Sequence, residues 1–173
     1  MNIGYVIGRF NPLHKGHEHI IRKMINNNEE HIIFIGSSNK SRTKNNPFTF
    51  KERKEMILSV FPKAQIISLP DFDNLQEWKA TLLEKIDEFC HNKNIKKIDN
   101  IKLYTGVKKG DDLLRNEWLE GTNHIINPVL LKHNINATDI RNSIYSNLEI
   151  NTNLLNENIL NYILNKKKIL LEI

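Results

Sequence analysis

Two histidines stand three residues apart in a run that opens on a glycine and holds a second between them, Gly8-Arg9-Phe10-Asn11-Pro12-Leu13-His14-Lys15-Gly16-His17. Neither familiar phosphate loop, G-x-x-x-x-G-K-[ST] or G-x-G-x-x-G, occurs in the chain. The run still has what a phosphate needs. Gly8 lets the backbone turn sharply, and Pro12 stiffens the loop. Gly16 permits close approach where a helix begins and its unpaired N–H groups point outward. Arg9, His14, Lys15 and His17 then surround a helix end carrying roughly half a positive charge. Late in the chain, Ile135-Asn136-Ala137-Thr138-Asp139-Ile140-Arg141 offers a second such start. Thr138 is expected to cap it, leaving N–H groups free for an anion, while Arg141 adds a permanently charged fork. Alone, either stretch reads as an ordinary surface helix start.

Positioning these groups requires strands that end at the right glycines. Residues 2–8 predict a buried strand ending at Gly8, then a helix from about 16 to 27. Residues 31–36 predict a second apolar strand, stopped by Gly36. After a polar loop over 37–48, Thr49 and Glu52 make a capping-box start for a helix to about 61. A third strand over 65–69 closes at Pro70, and Asn74 with Glu77 starts a helix to about 90. A fourth strand over 100–105 ends at Gly106, a helix covers about 111–119, and 124–127 form a fifth strand before Pro128. Thr138 opens a helix through about 145, and an amphipathic helix spans about 154–165. Short apolar strands alternating with helices predict an α/β fold, a doubly wound parallel sheet with helices on both faces. Ligands bind such sheets beyond the carboxyl ends of the strands. The whole of 1–173 is expected to be one domain, with 146–173 a helical extension.

The decapeptide resembles the GxFxPxHxGH signature of the HxGH nucleotidyltransferase superfamily, and residues 135–141 are similar to its ISSTxIR element, with Asn136 where serine is commoner. The stretch Gly36-Ser37-Ser38-Asn39-Lys40-Ser41-Arg42-Thr43-Lys44-Asn45-Asn46-Pro47-Phe48-Thr49, continuing to Glu52-Arg53, resembles the GSxxxSxTxxNPFTxxER block of archaeal-type nicotinamide mononucleotide adenylyltransferases. The transferase half of their bifunctional Nudix relatives shares that block. Arg42 stands where archaeal members often have His, and Asn45 where an arginine sometimes precedes the NPFT run. Pro70-Asp71 followed by Trp78 is similar to the family's PD…W segment, with Leu75 in place of its Asn and Asn74 one residue earlier. Tyr104-Thr105-Gly106 resembles a strand end near the nucleotide. Lys108, Lys109, Asp111, Asp112 and Arg115 beyond it read as a solvated charged helix. The resemblance covers roughly residues 3–145.

It implies adenylyl transfer from ATP to nicotinamide mononucleotide, giving NAD and pyrophosphate, with Mg²⁺ accompanying ATP and no protein ligand assigned to the metal. The catalytic groups implied are His14, His17 and Arg141. ATP would meet Gly8, Arg9, Phe10, Asn11, His14, Gly16, His17, Gly106, Thr138 and Arg141. The mononucleotide would meet Ser37, Arg42, Lys44, Asn74 and Trp78, the last stacking on the pyridine ring; a tryptophan packed in the core is the competing reading.

Composition narrows the classes further. The longest strongly apolar run, Ile32-Ile33-Phe34-Ile35, is far too short to span a bilayer. The N-terminus shows no secretory pattern, and the single Cys90 makes neither an internal disulfide nor a C-x-x-C zinc pair. A cytoplasmic setting is expected. The net charge of +5 admits polyanionic partners, but 25 Asn, 25 Ile and 19 Lys suggest AT-rich coding as its source. No basic-aromatic repeat argues for a nucleic-acid partner. Other readings stay open: a transferase for phosphopantetheine, a flavin or an alcohol phosphate, or a non-catalytic nucleotide sensor. So do a homo-oligomer and the choice between nicotinamide and nicotinic acid mononucleotide.

Overall fold

The computed structural model describes residues 1–107, 119–131 and 135–173. Its elements are β1 (Asn2–Gly8), α1 (Lys15–Asn26), β2 (Glu30–Ile35), α2 (Phe50–Val60), β3 (Ile66–Ser68), α3 (Leu75–Asn92), β4 (Asn100–Val107), β5 (His124–Leu130), α4 (Ala137–Tyr145) and α5 (Glu157–Leu171). The strands form one parallel sheet in the order β3-β2-β1-β4-β5. The chain therefore moves outward from β1 to β3, then crosses back to β4. Where it reverses, between β1 and β4, the carboxyl ends open a crevice.

The apolar strand runs are explained by burial on both faces. Val6, Ile33 and Ile35 face one cluster with residues of α1, α2, α4 and α5, including Ile21, Met24, Met56, Ile140 and Ile159. Ile3, Tyr5, Ile32 and Phe34 face the other with Leu82, Ile86 and Phe89 of α3. Burying a Leu or Ile side chain contributes roughly 1.5–3 kcal/mol, so these two clusters hold the sheet.

Three boundaries correct the sequence reading. β5 does not stop before Pro128; it continues to Leu130, with Pro128 opposite Thr105. Among the described residues β5 is an edge strand, where a proline need not break a ladder hydrogen bond. Thr138 does not cap α4. Asn136 does, accepting from the Asp139 N–H at 2.9 Å and donating to its carboxylate at 2.7 Å; Asn outranks Thr as a cap. The last helix starts at Glu157 behind an Asn156 cap and runs on to Leu171, so Lys166, Lys167 and Lys168 lie within it. The expected helix over 111–119, with Lys108, Lys109, Asp111, Asp112 and Arg115, falls almost entirely outside the described residues.

Candidate functional site

A cavity of about 370 Å³ lies in the β1/β4 crevice, and its walls include Arg9, Phe10, Asn11, His14, Gly16, His17, Gly106, Thr138 and Arg141. Every residue expected at ATP lines it except Gly8, which lies beneath Phe10. Phe10 takes a left-handed backbone conformation, φ 49°, and folds its ring over Gly8, where a β-carbon would come within 2.8 Å of the ring. Only glycine allows that packing. The Phe10 ring then meets His17 edge-on, with centroids 4.9 Å apart.

His14 is the N-cap of α1, its Nδ1 accepting from the His17 N–H at 3.3 Å. A neutral ring whose Nδ1 accepts carries its proton on Nε2, so His14 retains one donor for a ligand. The two imidazoles stack with centroids 3.6 Å apart and planes 18° apart. Burial lowers the pKa of His14 to about 4, outweighing a backbone hydrogen bond that favours its charged form. Burial, and then the neighbouring His14, hold His17 well below the usual histidine value. The Nδ1 of His17 is buried without a hydrogen-bond partner. At neutral pH the unliganded pair is therefore uncharged, and the fixed positive charge of the cavity comes from arginines.

Arg141 reaches the first motif from the late one. It is buried, donating from Nη1 to the Asn11 carbonyl at 2.9 Å and from Nη2 to the Thr138 hydroxyl at 3.1 Å. Burial, then repulsion from Arg9, lower its pKa. Two motifs 130 residues apart in sequence thus share a hydrogen bond. Asn11 is a brace as well as a wall: its Oδ1 accepts from the Phe48 N–H at 3.1 Å, and its Nδ2 donates to Asn46 Oδ1 at 3.3 Å. Through Asn11 the first loop holds the NPFT run.

The residue that sequence reasoning missed is Arg53. It was visible only as the end of a motif, with no role attached. It is fully buried, and its guanidinium donates to five main-chain carbonyls, those of Arg9, Gly36, Ser37, Lys40 and Thr49, at 2.8–3.4 Å. The loops after β1 and β2 are pinned to α2 by one side chain. Burial, then Arg9, lower its pKa to about 10, so it stays charged at neutral pH. A usable signal existed: the chain holds 19 lysines and only six arginines. Where lysine is so abundant, an arginine marks a place where five donors in a rigid fork matter.

The residues expected at the mononucleotide lie outside this cavity, around the loops after β2 and β3. Ser37 adopts φ 47° and donates to Asp71 at 3.0 Å. Arg42 donates to the Pro47 carbonyl at 3.0 Å and forms a 2.8 Å ion pair with Glu52. Lys44 is exposed, and its carbonyl accepts from the Tyr145 hydroxyl at 3.0 Å. Asn74 caps α3, accepting from the Glu77 N–H at 2.7 Å. Trp78, in the first turn of α3, is half-buried and packs against the second apolar cluster. The structure brings this set to the same sheet edge, and none of its members lines the β1/β4 cavity.

A separate cavity of about 310 Å³, walled by α4, α5 and the segment between them, contains none of the predicted site residues. Among the described residues no group of three or more His, Cys, Asp or Glu could hold a metal ion, and no helix is long and apolar enough to cross a membrane.

The chain is 30% identical over 145 residues to the nicotinamide-nucleotide adenylyltransferase of Thermococcus kodakarensis, and 32% identical over 145 residues to that of Thermococcus sibiricus. Each alignment covers 80% of this chain and 70% of the relative. Among solved structures, the bifunctional NMN adenylyltransferase/ADP ribose pyrophosphatase of Francisella tularensis, complexed with AMP and a manganese ion, superposes with a TM-score of 0.72 at 24% identity. That match covers 99% of this chain and 56% of the Francisella protein, so the chain spans little more than half its length. The model of the cytidylyltransferase-like family matches residues 5–143, and the chain belongs to that family.

Proposed function

We propose that the chain is a nucleotidyltransferase that transfers the adenylyl group of ATP to nicotinamide mononucleotide, forming NAD and pyrophosphate. The observation that carries this reading is the crevice at the start of α1, where two stacked neutral histidines and two arginines from distant motifs line one cavity. The Thermococcus relatives and the NPFT block support the pyridine mononucleotide as acceptor.

An oxygen of the mononucleotide phosphate attacks the α-phosphorus of ATP. The new P–O bond forms as the bond to the bridging oxygen breaks, and pyrophosphate leaves with that electron pair. The nucleophile is already ionised, so no general base is required; the protein supplies alignment and charge stabilisation. Arg9 and Arg141 neutralise the triphosphate, the α1 N-terminus points N–H donors at it, and His14 offers its Nε2 proton. His17 meets charge that grows at the α-phosphate. Mg²⁺ enters as part of the ATP substrate and supplies further neutralisation of the phosphates.

The mononucleotide lies on the β2/β3 side. There the half-buried Trp78 presents an electron-rich indole to the cationic pyridine ring, and Arg42 or Lys44 meets the phosphate. A coupled assay tests this reading: the chain with MgATP and nicotinamide mononucleotide, product NAD reduced by alcohol dehydrogenase. Steady NADH formation that requires the chain and both substrates is the expected result. No product with either nicotinamide or nicotinic acid mononucleotide, the second read by pyrophosphate release, overturns it.

A further inference from the structure

The family match ends at residue 143, yet the helix beyond it reaches the mononucleotide side of the site. We propose that Lys166 of α5 is a positioning residue for the mononucleotide, holding the Glu52 carboxylate when Arg42 leaves it to grip the substrate's phosphate. This rests on the adenylyl transfer proposed above.

Glu52 has little freedom of its own. Its side chain is only 8% exposed. Its Oε2 accepts from the Thr49 N–H at 2.8 Å and its backbone N–H bonds the Thr49 hydroxyl, the two halves of a capping box. Burial alone would raise its pKa, but the Arg42 guanidinium, the Thr49 N–H and Lys166 together keep it below the usual carboxylate value. Glu52 is therefore an ion fixed in place. Its other oxygen, Oε1, has two cationic partners from different parts of the chain: Arg42 at 2.8 Å and Lys166 at 3.4 Å.

Position, not exposure, sets the two cations apart: their side chains are equally open, but Arg42 sits in the loop after β2 at the carboxyl edge, where the sheet binds ligands, and Lys166 on a helix packed against α2. To turn, Arg42 gives up Glu52 and its bond to the Pro47 carbonyl. If Arg42 turned to an anion while Glu52 had no second cation, a buried carboxylate would be stranded, which is strongly unfavourable. Lys166 removes that obstacle. Its side chain is half-buried over the Tyr162 ring, and α5 is itself anchored to α2 by Tyr162 to Glu55 and Asn158 to the Ser59 carbonyl. A second tie secures the same loop, since Tyr145 at the end of α4 donates to the Lys44 carbonyl.

The test uses the full chain and nicotinamide mononucleotide itself, with binding by calorimetry and initial rates with each substrate varied. Lys166→Met should weaken mononucleotide binding and raise its KM about three- to tenfold, while kcat and the KM for ATP stay within about twofold. Lys166→Arg should restore most of the loss, and Lys168→Met, on the exposed side of the same helix, should reproduce none of it. In an Arg42→Ala background Lys166→Met should add nothing, because no guanidinium is left to release. Glu52→Gln gives an independent arm should Lys166→Met lower stability: an amide needs no counter-ion, so Lys166→Met must then be silent. Unchanged mononucleotide binding in Lys166→Met, full additivity with Arg42→Ala, or an equal loss in Lys168→Met each overturns the proposal. Wild-type chain that binds mononucleotide without making NAD overturns the transfer reaction alone, and the binding series still decides the role of Lys166.

Discussion

The two sides of the carboxyl edge are prepared for their ligands in different ways. Around the start of α1, the cationic and donor groups already line one cavity, and none of the hydrogen bonds described for them is to a carboxylate: His14 accepts from a main-chain N–H, Arg141 donates to a carbonyl and a hydroxyl, and Asn11 donates to an amide. Around the 37–48 loop, three of the five expected ligands are engaged with side-chain carboxylates: Arg42 with Glu52, Ser37 with Asp71, Asn74 with Glu77. On the proposed reading, the first region receives a triphosphate with little rearrangement and the second exchanges partners when the mononucleotide arrives. Preorganisation would then be concentrated where charge develops in the reaction, and adaptability where the acceptor is recognised.

The sharpest way to break this contrast is His17→Ala. If the first region acts on the transition state, kcat should fall about a hundredfold or more with ATP affinity nearly kept. Rapid-quench or coupled assays with separate ATP titrations check this, and an unchanged kcat with raised KM would make His17 a simple binding group. Next comes Arg53, which both regions share. Arg53→Met leaves five carbonyls to find new partners and should destabilise the chain by about 2–4 kcal/mol in urea unfolding, with Arg53→Lys recovering only part. A loss below about 0.5 kcal/mol would show that the two loops hold themselves.

Trp78→Ala probes the adaptable side alone. It should weaken mononucleotide binding by about 1–2 kcal/mol, five- to thirtyfold, and leave ATP affinity unchanged. Because Trp78 is only half-buried, the stability loss should stay below the roughly 3–5 kcal/mol of a core tryptophan. A large fall in melting temperature with intact mononucleotide affinity would return Trp78 to the core.

The smallest effect is in pH. With a folded-state pKa near 4 against 6.5, His14 is neutral in the folded chain over the range where the unfolded chain takes up a proton. Stability is therefore complete above pH 6.5 and declines as pH falls toward 4, by about 1 kcal/mol at pH 5.5. Chemical unfolding at pH 7.5 and 5.5 should show a loss of at least this size, because His17 is lowered as well, and His14→Asn should reduce the slope without abolishing it.

The parts of the molecule that were legible in the sequence are those whose cause is local. Strand runs stopped by glycine, the Thr49–Glu52 box and the His14–His17 spacing each act within a few residues, and each element formed close to its expected place. Thr138 was misread as a cap because two adequate capping residues stand two apart, and only the backbone decides between them. The β5 boundary depended on Pro128 being at an edge, a property of strand order. The roles of Arg53 and Lys166 were not readable: the scarcity of arginine could flag Arg53 but not its partners, which are main-chain carbonyls 4–44 residues away, and Lys166 meets a residue 114 positions away that has a local role of its own.

The grip of Arg53 has one more consequence. Every bond it makes is to a carbonyl of the main chain, which all residue types possess. Exchanging the side chains at Arg9, Ser37 and Lys40 by mutation therefore leaves the Arg53 grip on their loops in place. A lineage holding this one arginine keeps its scaffold while the acceptor-recognising surface drifts, so new substrate preferences become accessible by single steps through folded intermediates.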